Sequence, residues 1–364
     1  MNIFICSDSF KGTIEAWDVV RIISSVFEDE RSVTCRTMPL ADGGEGSIEI
    51  INTQINCVKV NLKALNPIGH LIDGFYLRSG HTAYIDIANV GGLHLLKSVE
   101  RNPLRANTYG TGQLIAHAIA NQCQSIILFL GGSATVDGGS GLMQALCNSI
   151  FNSTNPLLSE CNIAINDFKQ RIQNIDFTIV TDVENTIIGN EGAARVFGPQ
   201  KGADAASVLE IDKAMIKWLN VLQQYTDKDL SMYKGLGAAG GVAVPFVALN
   251  QHVQLINGFD YFNHLLDYES SINWADVVIT GEGCIDEQTM MGKGPGRIAK
   301  MSNELGKRVI GVGGIVTSYP KDFEKIFATT DLMHSESELK NKAVPRLLGT
   351  ALQIKNYLFP TTNF

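Results

Sequence analysis

Short apolar runs that alternate with helical stretches most constrain the fold of this chain. The runs at residues 3–6, 125–130 and 276–280 are largely continuous instead of alternating with polar residues, as in parallel strands that are covered on both faces. Between such runs, for example at residues 16–27 and 207–225, apolar side chains recur at helical spacing. We therefore predict an α/β protein with open, mostly parallel sheets and helices on both faces.

Glycine-rich segments follow several of the predicted strands. Glycine accounts for 35 of the 364 residues, and much of it lies in residues 43–46, 131–139, 235–241, 281–283, 292–296 and 311–314. At the carboxyl end of a parallel strand, glycine lets backbone N–H groups approach a bound anion, and the helix that follows adds its positive N-terminal dipole. The pattern therefore indicates several loops able to cradle phosphate.

Length, charge and hydropathy narrow the class of protein further. The length predicts about two domains, and the segments 66–69 and 250–258 are the expected crossings between them. A net charge of −8 argues against nucleic-acid binding through a general basic field. The longest nearly apolar stretch, 236–249, is shorter than the roughly 20 residues of a membrane-spanning helix. No secretion signal is recognisable, so we expect a cytoplasmic protein without a membrane partner.

Neither the cysteines nor the histidines form a recognisable metal or disulfide pattern. The seven cysteines are scattered and include no CxxC pair, and the seven histidines include no HxxxH pair. These spacings predict neither a disulfide framework nor a zinc site.

Acidic, hydroxyl-bearing and basic side chains lie in or beside the glycine-rich loops. They include Asp8, Lys11, Asp42, Thr111, Ser133, Asp137, Asp182, Glu282, Asp286 and Lys293. Phosphoryl transfer uses such a mixture, because carboxylates hold Mg²⁺ and accept the proton of the attacking hydroxyl, while lysines and backbone N–H groups neutralise phosphate oxygens. Any one acidic residue here could equally cap a helix or form a turn, so the combination carries the interpretation.

Standard nucleotide-binding fingerprints are incomplete in this sequence. There is no GxxxxGK[ST] motif, and the segments 110–112 and 281–283 only begin a GxGxxG pattern. A nucleotide-cofactor dehydrogenase is therefore kept as an alternative, and so is a non-catalytic sensor of sugar acids.

Blocks of sequence along the chain resemble those of the type 1 glycerate kinases. They follow the family's order and read SDSFKG (7–12), ADGGEG (41–46), YGTG (109–112), GGSAT (131–135), DGG (137–139), FGPQKGA (197–203), GAAGG (237–241), TGEG (280–283) and DEQTMMGK (286–293). The resemblance implies phosphorylation of D-glycerate, at the 2-hydroxyl to give 2-phosphoglycerate, in glyoxylate or sugar-acid breakdown. It also implies ATP as a cofactor, and the carboxylates in the loops add Mg²⁺ as the second expected cofactor.

The same resemblance implies two α/β domains, one inserted into the other. Residues 1–65 and 258–364 would form a discontinuous domain that is restriction-endonuclease-like. Residues 66–257 would form an inserted domain that is flavodoxin-like.

Charge and position within the matched blocks lead us to expect particular roles. We expect arginine to clamp the substrate carboxylate and lysine to act as a point charge on phosphate; the candidates are Arg101, Arg105, Arg195, Lys11, Lys201 and Lys293. Asp182 is the preferred general base and Asp286 the second choice, with Lys11 also placed in catalysis. Asp42 and Asp137 are the candidates for Mg²⁺ or its waters. The remaining expected contacts to substrate or ATP are Asp8, Thr111, Gly131, Gly132, Ser133 and Glu282.

Several positions depart from the family pattern, among them the segment VTDVEN at 180–185 in place of a pattern closer to ACDVDN. Val136 stands where an asparagine is usual, Gln113 replaces a glutamate, and Asp86 replaces a glutamate. These departures keep a kinase for a related small hydroxy acid open as an alternative.

Overall fold

The computed structural model describes residues 1–10, 12–44, 46–151, 153–158, 164–330 and 336–360, with side chains from residue 342 onward in the last range. It confirms the predicted α/β class, with two mostly parallel sheets flanked by helices. The chain divides into two compact units. We call residues 1–42 and 259–364 the terminal unit and residues 43–258 the inserted unit.

Strands are numbered in chain order. They are β1 (Asn2–Ser7), β2 (Thr34–Pro39), β3 (Val58–Leu65), β4 (Leu71–Ser79), β5 (Thr82–Asp86), β6 (Ser125–Phe129), β7 (Asp176–Thr181), β8 (Val253–Asn257), β9 (Val277–Ile285), β10 (Arg308–Val316) and β11 (Lys325–Ala328).

Helices are numbered in the same way. They are α1 (Ala16–Ser25), α2 (Ser47–Gln54), α3 (Ala88–Gly91), α4 (Tyr109–Ala120), α5 (Ser140–Leu146), α6 (Ile165–Ile172), α7 (Ala193–Phe197), α8 (Ala205–Leu222), α9 (Val244–Leu249), α10 (Gly258–Leu266), α11 (Tyr268–Trp274), α12 (Gly294–Glu304) and α13 (Glu336–Leu358). Short 3₁₀ helices at Pro199–Lys201 and Glu287–Met291 matter for the site.

The terminal unit is built on a five-stranded sheet in the order β11-β10-β9-β1-β2, with every pair parallel. In the unit's own chain order this is 2-1-3-4-5, the order of flavodoxin-like folds. Apolar side chains of α1 and α13 cover one face, where Val19, Ile23, Leu347 and Ile354 are buried with Ile279 of β9.

The inserted unit is built on a six-stranded sheet in the order β3-β4-β5-β6-β7-β8. The strands from β5 to β8 are parallel, whereas β3, β4 and β5 form an antiparallel meander. Phe168, Phe177 and Phe246 stack in the core, with Phe177 and Phe246 ring centroids 4.4 Å apart.

The flavodoxin strand order therefore corrects the expectation for the two domains. We expected it in the inserted domain, yet it occurs in the terminal unit. The physical reason is the meander, because strands joined by short hairpin turns must lie side by side and cannot adopt the doubly wound order.

The expected crossing at residues 66–69 is a hairpin turn. Gly69 N donates to Asn66 O at 3.0 Å and Asn66 N donates to His70 O at 2.8 Å, which joins β3 to β4. Gly69 has φ of +91°, a left-handed value that favours glycine. The structure accordingly assigns residues 43–65 to the inserted unit, and the second crossing lies at 258/259.

None of the helices in the described ranges combines the length and apolarity that a membrane crossing requires.

Two helical glycines allow a paired test of the packing. A Cβ added to Gly110 in α4 would lie 1.8 Å from Leu65 O, whereas a Cβ on Gly349 in α13 would meet nothing within 4 Å. We expect Gly110→Ala to lower the free energy of unfolding by about 1–3 kcal/mol, as other forced overpacking does. Gly349→Ala should raise it by up to about 1 kcal/mol, since alanine favours the helix. Urea unfolding followed by circular dichroism measures both, and an equal effect of the two substitutions would contradict the described packing.

Candidate active site

The terminal unit offers a ligand site where its strand order reverses. The chain leaves β1 toward β2 on one side, and β9 lies on the other; in open α/β sheets, ligands bind at the carboxyl ends of strands at such a switch point. Ser7 at the end of β1 pairs with Gly281 of β9. Asp8 N then donates to Gly281 O at 2.9 Å. Asp8 therefore lies beside the residue that precedes Glu282 on the paired strand.

Two carboxylates share one lysine just beyond this point. Lys293 Nζ lies 3.4 Å from Glu282 Oε2 and 3.5 Å from Asp286 Oδ1. Thr289 Oγ1 donates to Glu282 Oε1 at 2.8 Å and accepts from Asp286 N at 3.0 Å. We call Glu282, Asp286, Thr289 and Lys293 the carboxylate–lysine cluster.

Local sequence explains why these four side chains meet. Asp286 caps the 3₁₀ helix Glu287–Met291, because its Oδ1 accepts from Thr289 N at 3.1 Å. Gly292, with φ of +111°, reverses the chain after that helix, and Lys293 is the N-cap of α12. A Cβ on Gly296 would lie 2.0 Å from Thr289 O, so the start of α12 packs directly on the 3₁₀ helix. The lysine is thus delivered to a helix N-terminus, where anions are favoured.

Burial and neighbouring charges shift the pKa values within the cluster in opposite directions. Burial raises the pKa of Glu282, although hydrogen bonds from Thr289 and the charge of Lys293 oppose the rise. Burial alone lowers the pKa of Lys293, but the attraction of Glu282 and Asp286 together outweighs it, so this pKa is raised. The lysine therefore stays charged at neutral pH beside a carboxyl group that is costly to ionise.

Asp8 and Asp42 lie at the same edge of the five-stranded sheet. Both contribute to a raised pKa of Tyr268, although burial of that phenol is the main cause. Tyr268 donates its hydroxyl proton to Pro39 O at 3.0 Å, at the end of β2. The structure therefore brings both predicted aspartates near the ends of β1 and β2. Lys11, predicted to act in catalysis, lies outside the described residues.

In the inserted unit, the predicted glycine loop follows β6. Gly131 and Gly132 lead to Ser133 and Thr135, which are buried. Lys201 comes from the 3₁₀ helix Pro199–Lys201, and its Nζ donates to Ser133 Oγ and to Thr135 O, both at 2.8 Å. Lys201 is only 4% exposed, and these two bonds hold the loop; the expected contact of Lys201 with phosphate stays a prediction.

Asp137 is engaged inside the protein. Its Oδ2 accepts from Thr108 N at 2.8 Å, Thr108 Oγ1 at 2.7 Å and Gly141 N at 3.1 Å, and its Oδ1 accepts from Gly139 N at 3.1 Å. The side chain is completely buried, and burial raises its pKa against these hydrogen bonds. This geometry ties the loop to the start of α4 and α5 and does not support the metal-binding role predicted for Asp137.

The three arginines predicted to clamp the substrate carboxylate lie in different surroundings in the inserted unit. Arg195 Nε and Nη2 both donate to Asp212 Oδ2, at 3.0 and 2.9 Å, so this guanidinium already has a carboxylate partner. Arg105 is exposed. Arg101 Nε is buried without a hydrogen-bond partner among the described residues, and its carbonyl oxygen would lie 2.3 Å from a Cβ on Gly202.

The remaining predicted residues are divided between core and sheet edge. Thr111 is fully buried in α4, and its Oγ1 has no partner within the described part of the chain. Asp182 is exposed directly after β7. Because Phe129 pairs with Val180, the ends of β6 and β7 are adjacent, and Asp182 lies at the same sheet edge as Gly131.

The carboxylates of the carboxylate–lysine cluster can be compared with the ligands that Mg²⁺ prefers. This ion prefers oxygen ligands and usually keeps several waters, so one or two carboxylates suffice. Glu282 and Asp286 supply carboxylate oxygens that converge, because Glu282 Oε2 and Asp286 Oδ1 lie 3.4 and 3.5 Å from the same atom, Lys293 Nζ. Within the described ranges, no three His, Cys, Asp or Glu side chains form a closed metal site. The cluster therefore suits a hydrated ion better than a cage made of protein ligands alone.

Sequence reasoning missed the residues that hold the charged groups in place. Thr108, which binds Asp137, and Asp212, which binds Arg195, carry no local signal, because their partners are distant along the chain. Thr289 was within reach, since Asp286 and Thr289 have the spacing of a capping box.

Lys201 gives a pH-dependent test of the loop. Burial lowers its pKa from 10.5 to about 7, while Asp137 opposes the shift. Above pH 7 the folded state therefore holds a neutral amine while the unfolded chain stays protonated up to about pH 10.5, so raising the pH favours the folded state. Between pH 7 and 9 we expect the unfolding free energy of the wild type to rise relative to Lys201→Met, by up to about 1.4 kcal/mol per pH unit.

The exposed Lys234 supplies the matched control. It pairs with Glu184 at the surface, so Lys234→Met should follow the wild-type pH dependence. Urea unfolding at several pH values measures all three proteins, and parallel curves for wild type and Lys201→Met would rule out a buried, titrating Lys201.

Known proteins match this chain over most of its length, both in sequence and in structure. A model described as the glycerate kinase family matches residues 3–358. The glycerate kinase of Halalkalibacterium halodurans is 34% identical, over 90% of this chain and 88% of its own, and the glycerate 2-kinase of Escherichia coli is 34% identical, over 87% and 86%. A Salmonella typhimurium LT2 crystal structure described as glycerate kinase 2 superposes with a TM-score of 0.80 at 31% identity and 98% coverage of both chains. The chain belongs to the glycerate kinase family.

Proposed function

We propose that this protein transfers the γ-phosphoryl group of ATP to the 2-hydroxyl of D-glycerate, giving 2-phosphoglycerate and ADP. The carboxylate–lysine cluster carries this proposal, because its lysine and the N-terminus of α12 suit a nucleotide phosphate and its two carboxylates suit the Mg²⁺ that phosphoryl transfer uses. Family membership supports the class of reaction, and the E. coli relative named glycerate 2-kinase supports the 2-hydroxyl.

The cluster would bind the phosphates of ATP. Lys293 stays protonated between its two carboxylates, and on phosphate binding its ammonium can neutralise phosphoryl oxygens. The N-terminus of α12 adds positive potential at the same place. Glu282 and Asp286 would hold Mg²⁺, which when bound supplies charge neutralisation of the phosphates.

The acceptor hydroxyl needs a base but no covalent enzyme intermediate. Asp182 remains our candidate, because it is an exposed carboxylate at the edge of the six-stranded sheet where the Gly131 loop lies. Asp286 is the second candidate, and its Oδ1 accepts from Thr289 N and lies 3.5 Å from Lys293 Nζ. Lys201 and Ser133 would position the loop without touching the reacting atoms.

The other interpretations are less well supported. A kinase family disfavours the nucleotide-cofactor dehydrogenase, and a carboxylate–lysine cluster is unnecessary for a sensor of sugar acids. A related small hydroxy acid stays possible as substrate because of the departures at Asp86, Gln113 and Val136. The acidic total charge also fits a cytoplasmic enzyme that binds small molecules and no nucleic acid.

A coupled ADP-release assay with D-glycerate, ATP and Mg²⁺ tests the proposal. The wild type should turn over D-glycerate, and phosphorus NMR should show the phosphate on carbon 2. Lys293→Met should reduce kcat about 10²–10³-fold, the usual loss for a group that stabilises transition-state charge. The exposed Lys234→Met should retain wild-type turnover.

Two results would contradict the proposal in different ways. No ADP release across a panel of small hydroxy acids would exclude the kinase activity itself. A phosphate on carbon 3 would keep the kinase and overturn the 2-hydroxyl.

A further inference from the structure

The inserted unit contains a pocket of about 430 Å³. Of the ligand contacts expected from the sequence, Gly131 and Gly132 line it. It lies at the carboxyl ends of β5 and β6 and at the first turn of α2. Its polar lining comes from Glu49, Asp86, Asn89 and His94, together with the backbone of Gly131 and Gly132. The volume falls within the roughly 300–1,000 Å³ that small-molecule sites occupy.

One part of the lining donates hydrogen bonds. Among the described residues, no acceptor pairs with Gly131 N or Gly132 N, and Gly132 has φ of +69°, so two consecutive N–H groups are presented together. Asn89 Oδ1 accepts from Phe75 N at 2.7 Å, which leaves the Asn89 amide group as a donor. The first turn of α2 has no side-chain cap, and its residues 48 and 49 also line the pocket. Such donors suit one carboxylate group.

Another part of the lining accepts hydrogen bonds. Asp86 directly ends β5, and its Oδ1 accepts from Ala88 N at 2.8 Å, which fixes the orientation of the carboxylate. Glu49 stands at the exposed side of the pocket. An ionised carboxylate accepts but does not donate, so the matching groups on a ligand are hydroxyls.

The charge of the lining indicates which of a kinase's two substrates the pocket suits. The residues around this pocket, all of them in the described ranges, include no lysine or arginine. A triphosphate would face the carboxylates of Asp86 and Glu49 in a lining that contains no lysine or arginine, whereas a single carboxylate can be held by backbone N–H groups. Lys293, by contrast, lies in the terminal unit.

We propose that this pocket binds the hydroxy acid, with the acid's carboxylate on Gly131 N and Gly132 N and its hydroxyl groups donating to Asp86. This assignment rests on the proposed function and deepens it. Asp86 then determines specificity, because an analogue that lacks a hydroxyl loses its hydrogen bond to this carboxylate.

Asp86→Asn tests the assignment with little change in shape. Asparagine keeps an oxygen for Ala88 N but replaces the other carboxylate oxygen by an N–H donor. We expect the KM and the calorimetric Kd for D-glycerate to rise at least about tenfold, as when a hydrogen bond to a charged group is lost, while the KM for ATP changes less than twofold. The preference for D-glycerate over D-lactate, which lacks the 3-hydroxyl, should shrink in the variant.

Asp73→Asn is the matched control, because Asp73 is an exposed carboxylate on β4 that pairs with Lys63. It should leave both KM values unchanged, and all three proteins should melt at the same temperature. An unchanged KM for D-glycerate in Asp86→Asn, or an equal rise in both KM values, would overturn the assignment. A rise in the KM for ATP alone would give the pocket to the nucleotide.

The pocket and the proposed reaction can fail separately. If wild type releases ADP with D-glycerate and Asp86→Asn behaves like wild type, the reaction stands and the pocket assignment falls. If wild type releases no ADP, calorimetry with the panel of hydroxy acids still tests the pocket, since binding that Asp86→Asn weakens would support it and binding that it does not affect would refute it.

Discussion

The parallel pairing of β1 with β9 is the interaction on which the terminal unit depends. It joins Ile3 to Val277 and Ser7 to Gly281, strands that the whole inserted unit separates along the chain. The entropy of closing so long a loop grows only slowly with its length, so an insertion of this size is compatible with a stable sheet. The pairing also creates the switch point that places Asp8 and Glu282 at one edge. Gly281 is required there, because a Cβ would lie 2.0 Å from Val312 O.

Much of the fold could be predicted because its signals are local. Apolar runs marked β1, β6 and β9, and glycines marked the loops that follow them. The predicted glycine loop follows the carboxyl end of β6, and the block of residues 286–293 follows the carboxyl end of β9. The antiparallel meander could not be predicted in the same way, since the turn at Asn66–Gly69 looks like a linker until its pairing is known. Non-local partners such as Ser133 and Lys201 were equally inaccessible, because their hydrogen bond depends on packing.

The two units carry different electrostatics, which explains how an acidic chain can bind anions. In the terminal unit, Lys293 stays charged between Glu282 and Asp286 at the start of α12. In the inserted unit, the pocket lining has backbone N–H groups and carboxylates but neither lysine nor arginine. Lys201 is buried behind the glycine loop, where it supports Ser133. Local N–H groups and one lysine therefore supply positive potential that a net charge of −8 conceals.

Hydrogen–deuterium exchange read by mass spectrometry tests most directly whether the carboxylate–lysine cluster and the pocket of the inserted unit bind different substrates. D-glycerate alone should slow exchange in residues 86–94 and 131–135 of the inserted unit. ATP with Mg²⁺ should slow exchange in residues 282–296 of the terminal unit. Protection of the same segment by both ligands, or protection of residues 86–94 by ATP alone, would contradict this division of the site.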